Sequence, residues 1–144
     1  MLPTNFLKKY FPNAPDWLLG GLLLVAILWL IVLPIEIVEI VIRQEYIPAD
    51  LLGWITRFLY IWGYAISLFL ISPMADYSSA PDQLVGFFIV LLGLLITSPA
   101  YFVIGALLAI RKDITITLGI MLAAIHIMLS CFVTIWLMKF LFAG

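Results

Sequence analysis

Four long apolar stretches limit what this chain can fold into. Each of them exceeds the roughly 18 residues that mark a candidate membrane-spanning helix. Strands of a membrane barrel would alternate apolar and polar residues over about 10 positions, whereas residues 22–33 are apolar throughout. The pattern predicts an all-α integral membrane protein, with four transmembrane helices and short loops in one compact antiparallel bundle. The single domain covers residues 1–144, and its expected spans are 17–42, 51–71, 84–110 and 114–141.

The charge content agrees with this prediction. The chain has 144 residues, of which 66% are hydrophobic and 10% are charged, and its mean hydropathy is +1.25. Soluble domains carry about 25% charged residues, and a surface this apolar would aggregate in water. The 7 Lys and Arg residues against 8 Asp and Glu residues leave no positive excess to attract nucleic acid. We therefore expect a multi-pass protein that contacts the lipid bilayer and binds no nucleic acid.

A single cysteine and a single histidine exclude several kinds of site. Cys131 has no second cysteine with which to form an intramolecular disulfide or a Cys-pair metal site. His126 cannot supply a two-His zinc motif, and the chain has no Glu-x-x-His sequence. We assign no catalytic residue, metal ligand or cofactor motif, so an enzyme is the less favoured class.

An aspartate stands at the start of each predicted span. A carboxylate at this position accepts hydrogen bonds from the first free backbone N–H groups and lies at the positive end of the helix dipole. We interpret these residues as helix caps rather than ion ligands. They are Asp16, Asp50, Asp82 and Asp113.

Charged residues near the end of the first span are candidates for pairing inside the membrane. Glu36, Glu39 and Arg43 fall within about 60° of one another on a helix with 100° per residue. Arg57 lies at the depth of Glu39 if the first two spans form a hairpin that turns near residues 47 and 48. The pattern predicts a Glu39–Arg57 pair, with Arg43 also in reach of Glu39 and with Glu36 left without a cation.

Two interpretations of these carboxylates stay open. In the functional one, Glu36 carries a proton or a cation, and Pro34 and Pro99 act as hinges in the first and third spans. In the structural one, which we favour, the first span is longer than the hydrocarbon core, so that Glu36 and Glu39 reach headgroup water. A proline also bends a helix that does not move.

His126 lies near the middle of the fourth span. It shares its side of the helix with small residues and hydroxyls, a pattern that is typical of helix-packing faces in lipid. These neighbours are Thr115, Gly119, Ala123, Ser130 and Thr134. We favour a packed, neutral histidine. The alternatives are a contact to haem or quinone, which makes His126 a weak cofactor-binding candidate, and a proton relay.

The second span is rich in aromatic residues. Tyr60, Trp62 and Tyr64 lie too deep for an interfacial aromatic belt. Buried Tyr and Trp side chains need hydrogen-bond partners. We expect them to line a groove for a pigment, quinone or lipid, or to pack on a partner subunit.

Three functions follow as hypotheses. We favour a small non-catalytic membrane subunit or scaffold that packs on larger membrane-protein partners. The first alternative is a small homo-oligomeric channel or proton-coupled transporter that uses Glu36, Glu39 and Arg57. The second alternative is a haem- or quinone-contacting membrane subunit that uses His126.

Overall fold

The computed structural model describes residues 4–43, 50–71 and 82–142, and these residues are almost entirely helical. Within these ranges no residue forms a β-strand. A one-turn helix comes first, and a π-helix directly continues the first long helix. The elements are α1 (Asn5–Lys8), α2 (Asp16–Ile37), the π-helix (Val38–Arg43), α3 (Leu51–Ile71), α4 (Asp82–Ala109) and α5 (Asp113–Phe142).

Four of the helices are long and apolar enough to cross a membrane. These stretches are Asp16–Ile40, Leu51–Ile71, Leu84–Ala109 and Asp113–Trp136. The long helices begin and end within two residues of the predicted spans when the π-helix is counted with α2. The prediction of four such helices is confirmed.

The predicted aspartate cap is confirmed at α3. The backbone N–H of Gly53 donates a hydrogen bond of 2.8 Å to Oδ1 of Asp50, which stands immediately before the helix. Asp16 and Asp113 are instead the first residues of α2 and α5, where a negative charge still interacts favourably with the helix dipole. The side chain of Asp82 lies outside the described part of the chain.

The chain divides into two compact units. The first consists of residues 1–28 and 98–128, and the second of residues 29–97 and 129–144. In the first unit, Gly20 of α2 lies directly against Gly105 of α4, because a Cβ at Gly20 would collide with the Gly105 carbonyl. The prediction of a single domain stays a prediction.

The second unit contains a similar close approach between α3 and α4. A Cβ at Gly63 would collide with the carbonyl oxygen of Gly93, and the Ser67 hydroxyl donates a 2.8 Å hydrogen bond to the Ile89 carbonyl. Rising residue numbers in α3 thus meet falling numbers in α4. The two helices run antiparallel here, and the absence of side chains at both glycines allows their backbones to touch.

Two departures from α-helical geometry lie in the second unit. The π-helix begins four residues after Pro34, and Tyr60 inside α3 has φ −131° and ψ 17°, which marks a kink. Helix α2 continues through Pro34, and α4 continues through Pro99. The proposed hinge roles of both prolines stay predictions.

Helix α5 presents a narrow packed face. Gly119 and Ser130 are buried, and both belong to the small and hydroxyl-bearing side of the helix on which His126 was predicted to lie. Gly119 packs against Leu108 of α4 in the first unit. The predicted packing face of α5 is confirmed at these two positions.

Substitution of Gly63 by alanine tests the close contact between α3 and α4. The added Cβ would meet a backbone carbonyl, which has little room to move. We expect a loss of about 1–3 kcal/mol of stability, the usual cost of overpacking, measured by thermal unfolding of the purified protein in detergent. Gly119→Ala is the matched control, because its Cβ would meet the end of the flexible Leu108 side chain. Equal losses in both variants would contradict the close contact.

Candidate functional site

The centre of the second unit is an ion pair between α2 and α3. The Arg57 guanidinium donates from Nε to Oε1 of Glu36 at 3.0 Å and from Nη2 to Oε2 at 2.7 Å. Glu36 is 1% exposed and Arg57 is 3% exposed. Two parallel hydrogen bonds to one carboxylate are the strongest geometry that an arginine offers. The pair therefore neutralises both charges inside the protein.

Aromatic side chains of α3 pack beside this ion pair. The Arg57 guanidinium carbon lies 4.3 Å from the centre of the Tyr64 ring, within the range of a cation–π contact. Tyr60 meets Tyr64 edge to face, with ring centres 5.9 Å apart, and Tyr60 is fully buried. We call Glu36, Glu39, Arg57, Tyr60 and Tyr64 the charged cluster.

Glu39 is the member of the charged cluster whose charge is not matched. Its side chain extends from the π-helix onto Gly53 of α3, where a Cβ would collide with Oε1. Glu39 is 2% exposed, and its Oε2 has no hydrogen-bond partner in the described structure. None of the ion pairs among the described residues includes it. The carboxyl group is thus buried without a cation bound to it.

The prediction that Glu39 pairs with Arg57 is wrong, because Arg57 pairs with Glu36. The prediction matched Glu39 with Arg57 by their depth in a regular hairpin, whereas the backbone changes to a π-helix after Ile37. A π-helix bonds i to i+5, so that Glu39 does not keep its predicted angle to Glu36. Glu36, predicted to lack a cation, is the residue that holds Arg57.

The predicted contact between Arg43 and Glu39 is also replaced. Arg43 Nη1 instead forms an ion pair of 3.3 Å with Oδ2 of Asp50, and both side chains are about half exposed. Asp50 had been assigned only a capping role. It serves as cap and as the anion for Arg43.

The hydrogen bond from the Gly53 N–H, followed by the bond from Arg43, lowers the pKa of Asp50 below its ordinary value. The ionised form is therefore favoured by folding. This contribution to stability is present above the ordinary pKa of an aspartate and is lost as the pH falls through the lowered value.

The interpretation that Glu36 and Glu39 reach headgroup water is wrong for this structure. Both side chains are almost completely buried between α2 and α3. Arg43, four residues beyond Glu39, is the first charged side chain of this segment that is exposed. The change from buried to exposed charge thus occurs inside the π-helix.

His126 belongs to the first unit, whereas the charged cluster belongs to the second. Its ring is partly buried and meets Tyr101 edge to face, with 4.9 Å between ring centres. This contact agrees with a packed histidine. The haem, quinone and proton-relay interpretations stay predictions. No group of three or more potential metal-ligating side chains forms within the described part of the chain.

The other aromatic residues of α3 have a different environment. Trp54 and Phe58 line an open apolar groove in the second unit together with Thr134 of α5. Tyr60 and Tyr64 are not among its lining residues. Tyr64 packs on Arg57, and Tyr60 packs on Tyr64. The sequence therefore predicted that α3 is rich in aromatic residues. It did not predict that some of them line a groove and others belong to the charged cluster.

Sequence reasoning missed the roles of Gly53 and Tyr60. The signal was present, because positions 53, 57, 60 and 64 have the i, i+4, i+7, i+11 spacing of one helix face. A glycine on the face of a deep arginine marks the point where a second helix, or a side chain from it, approaches closely. Here that side chain is Glu39.

The chain was also compared with known proteins. No protein-family model, curated protein or solved structure matches it.

Removal of the Arg57 charge tests the importance of the ion pair. Arg57→Met leaves Glu36 buried without its cation, and such a loss costs about 3–5 kcal/mol. The double variant Glu36→Leu with Arg57→Met removes both charges of the ion pair, and we expect it to regain most of the lost stability. Thermal or denaturant unfolding in detergent measures both.

Arg43→Met is the matched control for this experiment, since it removes an exposed pair and is expected to change stability little. A double variant that is as unstable as Arg57→Met would contradict the assignment of Glu36 as the partner.

Proposed function

We propose that the chain is an integral membrane protein in which α2 to α5 cross the bilayer as an antiparallel bundle, and that it serves as a non-catalytic subunit or scaffold on larger membrane proteins. Large apolar side chains on its long helices support the membrane setting. Leu30 is 74% exposed, Phe69 79% and Met128 70%. Exposure of such apolar side chains is unfavourable in water and favourable in lipid.

One observation carries the subunit role. In the most apolar 18-residue stretch of α5, 17% of the residues are buried, against 28–33% in α2, α3 and α4. Helices in lipid associate mainly through van der Waals packing and hydrogen bonds. A span that makes few such contacts within its own chain gains the most from a partner helix. We therefore propose α5 as the partner-facing span.

The internal pairing of Glu36 with Arg57 supports the same proposal. A scaffold needs a stable fold and an apolar lateral surface, and a buried ion pair leaves both charges away from that surface. Ser67 and Thr97 likewise direct their hydroxyls to carbonyl oxygens of α4. These four polar side chains of the second unit therefore serve contacts inside the chain.

Site-specific photo-crosslinking in the native membrane tests the scaffold proposal. A photoreactive amino acid at Met128 or Phe132 of α5 is expected to form adducts with a larger membrane protein at a fixed stoichiometry. Leu30 of α2 and Phe69 of α3 are matched controls, because they are comparably exposed and apolar, and they are expected to form adducts with lipid. The proposal fails if the α5 positions capture only lipid, or only a second copy of this chain.

A second candidate function is proton-coupled transport or conduction by a small homo-oligomer. The observation that favours it is the buried Glu39 carboxyl, whose Oε2 lacks a partner in the described structure. Ionisable groups inside membrane spans are costly and often belong to ion or proton pathways. In this proposal Glu39, rather than Glu36, carries the proton, because Glu36 holds Arg57.

Proton flux into liposomes driven by a pH gradient tests this second function. We expect Glu39→Gln to reduce the flux to the level of protein-free liposomes, since an amide takes up no proton in this range. Arg43→Met, outside the charged cluster, is expected to retain the flux of the unmodified protein. Equal flux in Glu39→Gln and the unmodified protein, or no flux in either, would rule out the transport role.

A further inference from the structure

Two buried polar atoms of the charged cluster lack hydrogen-bond partners among the described residues. They are Oε2 of Glu39 and the hydroxyl of Tyr60, and the two residues are 2% and 0% exposed. A neutral polar group without a partner is costly to bury, and an unpaired carboxylate costs much more. The cost falls steeply if the carboxylate becomes neutral.

The charges around Glu39 do not offset this cost. The charged residues that act on it are Glu36 on its own helix, Arg57 on α3, and Asp50 and Arg43 at the end of the hairpin. Each arginine forms its described ion pair with another carboxylate, Arg57 with Glu36 and Arg43 with Asp50. Among the described residues, two cations therefore face three carboxylates. The charges of this described set leave one carboxylate without a cation of its own.

We propose that the carboxyl group of Glu39 is a proton-binding site that holds an exchangeable proton while Arg57 is paired with Glu36. With this proton in place, Glu36, Glu39 and Arg57 together are electrically neutral. Loss of the proton creates a second carboxylate within the field of Arg57, so that Glu36 and Glu39 compete for one guanidinium. The proton on Glu39 thus determines which carboxylate Arg57 binds.

The backbone around the site is irregular on both helices. Glu39 lies in the π-helix, and Tyr60, next to the ion pair, is the non-helical residue of α3. π-Helical turns are rare and occur frequently at functional sites, and unusual backbone conformations concentrate at sites that bind or switch. The π-helix thus contains Glu39, whose Oε2 has no hydrogen-bond partner in the described structure.

This inference concerns the protonation of one residue and leaves the scaffold proposal untouched. The transport proposal needs Glu39 as its proton carrier, so failure of the site would remove that proposal as well. A protonated Glu39 without proton flux would overturn transport alone and leave the site standing.

Carbodiimide labelling of the full chain in liposomes tests the site. Dicyclohexylcarbodiimide is apolar and reacts with protonated carboxyl groups: the acid proton passes to a carbodiimide nitrogen, the carboxyl oxygen bonds to the central carbon, and rearrangement gives a stable N-acylurea. Peptide mass spectrometry locates the adduct. We expect it on Glu39 and not on Glu36, with a yield that falls as the pH rises.

The variant Glu36→Gln gives the sharpest result. It retains Glu39 but deprives Arg57 of its carboxylate, so that Arg57 is expected to bind Glu39 and to hold it ionised. Labelling of Glu39 should then fall to the background of Glu39→Gln. Asp50→Asn leaves Arg57 paired with Glu36, and labelling should persist. The proposal is overturned if Glu36 is labelled instead, or if Glu36→Gln leaves Glu39 labelled at the same yield.

Two further measurements keep the test decisive. Infrared spectroscopy of the unmodified protein at neutral pH is expected to show the carbonyl stretch of a protonated carboxyl group that Glu39→Gln removes, which does not depend on access of the reagent. Absence of this band overturns the proposal. Excess sodium at constant pH should leave the labelling unchanged, and suppression by sodium would identify a metal cation, not a proton, as the bound charge.

Discussion

The bidentate ion pair between Glu36 and Arg57 determines the arrangement of the second unit. Two charges buried this deeply are tolerable only together, because removal of either partner leaves an uncompensated charge. The pair therefore fixes α2 against α3 at one position along their axes. It also places the guanidinium under the Tyr64 ring, so that one contact between helices sets the positions of the aromatic side chains beside it. The close approach of α3 to α4 through Gly63 then extends this arrangement to a third helix.

One guanidinium beside two carboxylates makes the site asymmetric. Arg57 directs both described hydrogen bonds at Glu36, and the carboxyl of Glu39 lies against Gly53, where no side chain competes for the space. The residue that sequence spacing offered as the partner of Arg57 is thus the one whose charge is unmatched. Burial of an unpaired charge costs free energy. This cost keeps Glu36 and Arg57 together, and it makes Glu39 the position where a bound proton matters most.

The sequence predicted the helices well because their signal is local. Length and hydropathy of a span are read within about 20 residues, and the bounds of α3 agree to the residue. The Asp50 cap was predicted for the same reason. The partners in the charged cluster depend on the rotation of one helix against another. The π-helix changed that rotation, and no residue type between Val38 and Arg43 predicts a π-helix. The spacing of Gly53 to Arg57 predicts a close approach at this glycine. It does not predict that a side chain, rather than a helix backbone, fills the space.

The buried pair and the poorly packed α5 are compatible parts of one molecule. A cluster that is neutral with one bound proton can lie in hydrocarbon at an acceptable cost, whereas the same cluster with a net charge favours a rearrangement or a partner that restores neutrality. Stability of the second unit is therefore tied to one proton. Helix α5 contributes few buried residues to the chain and supplies no member of the charged cluster, so a partner that binds along it gains area without replacing a residue of that cluster. The lateral surface and the charged interior are thus free to serve separate purposes.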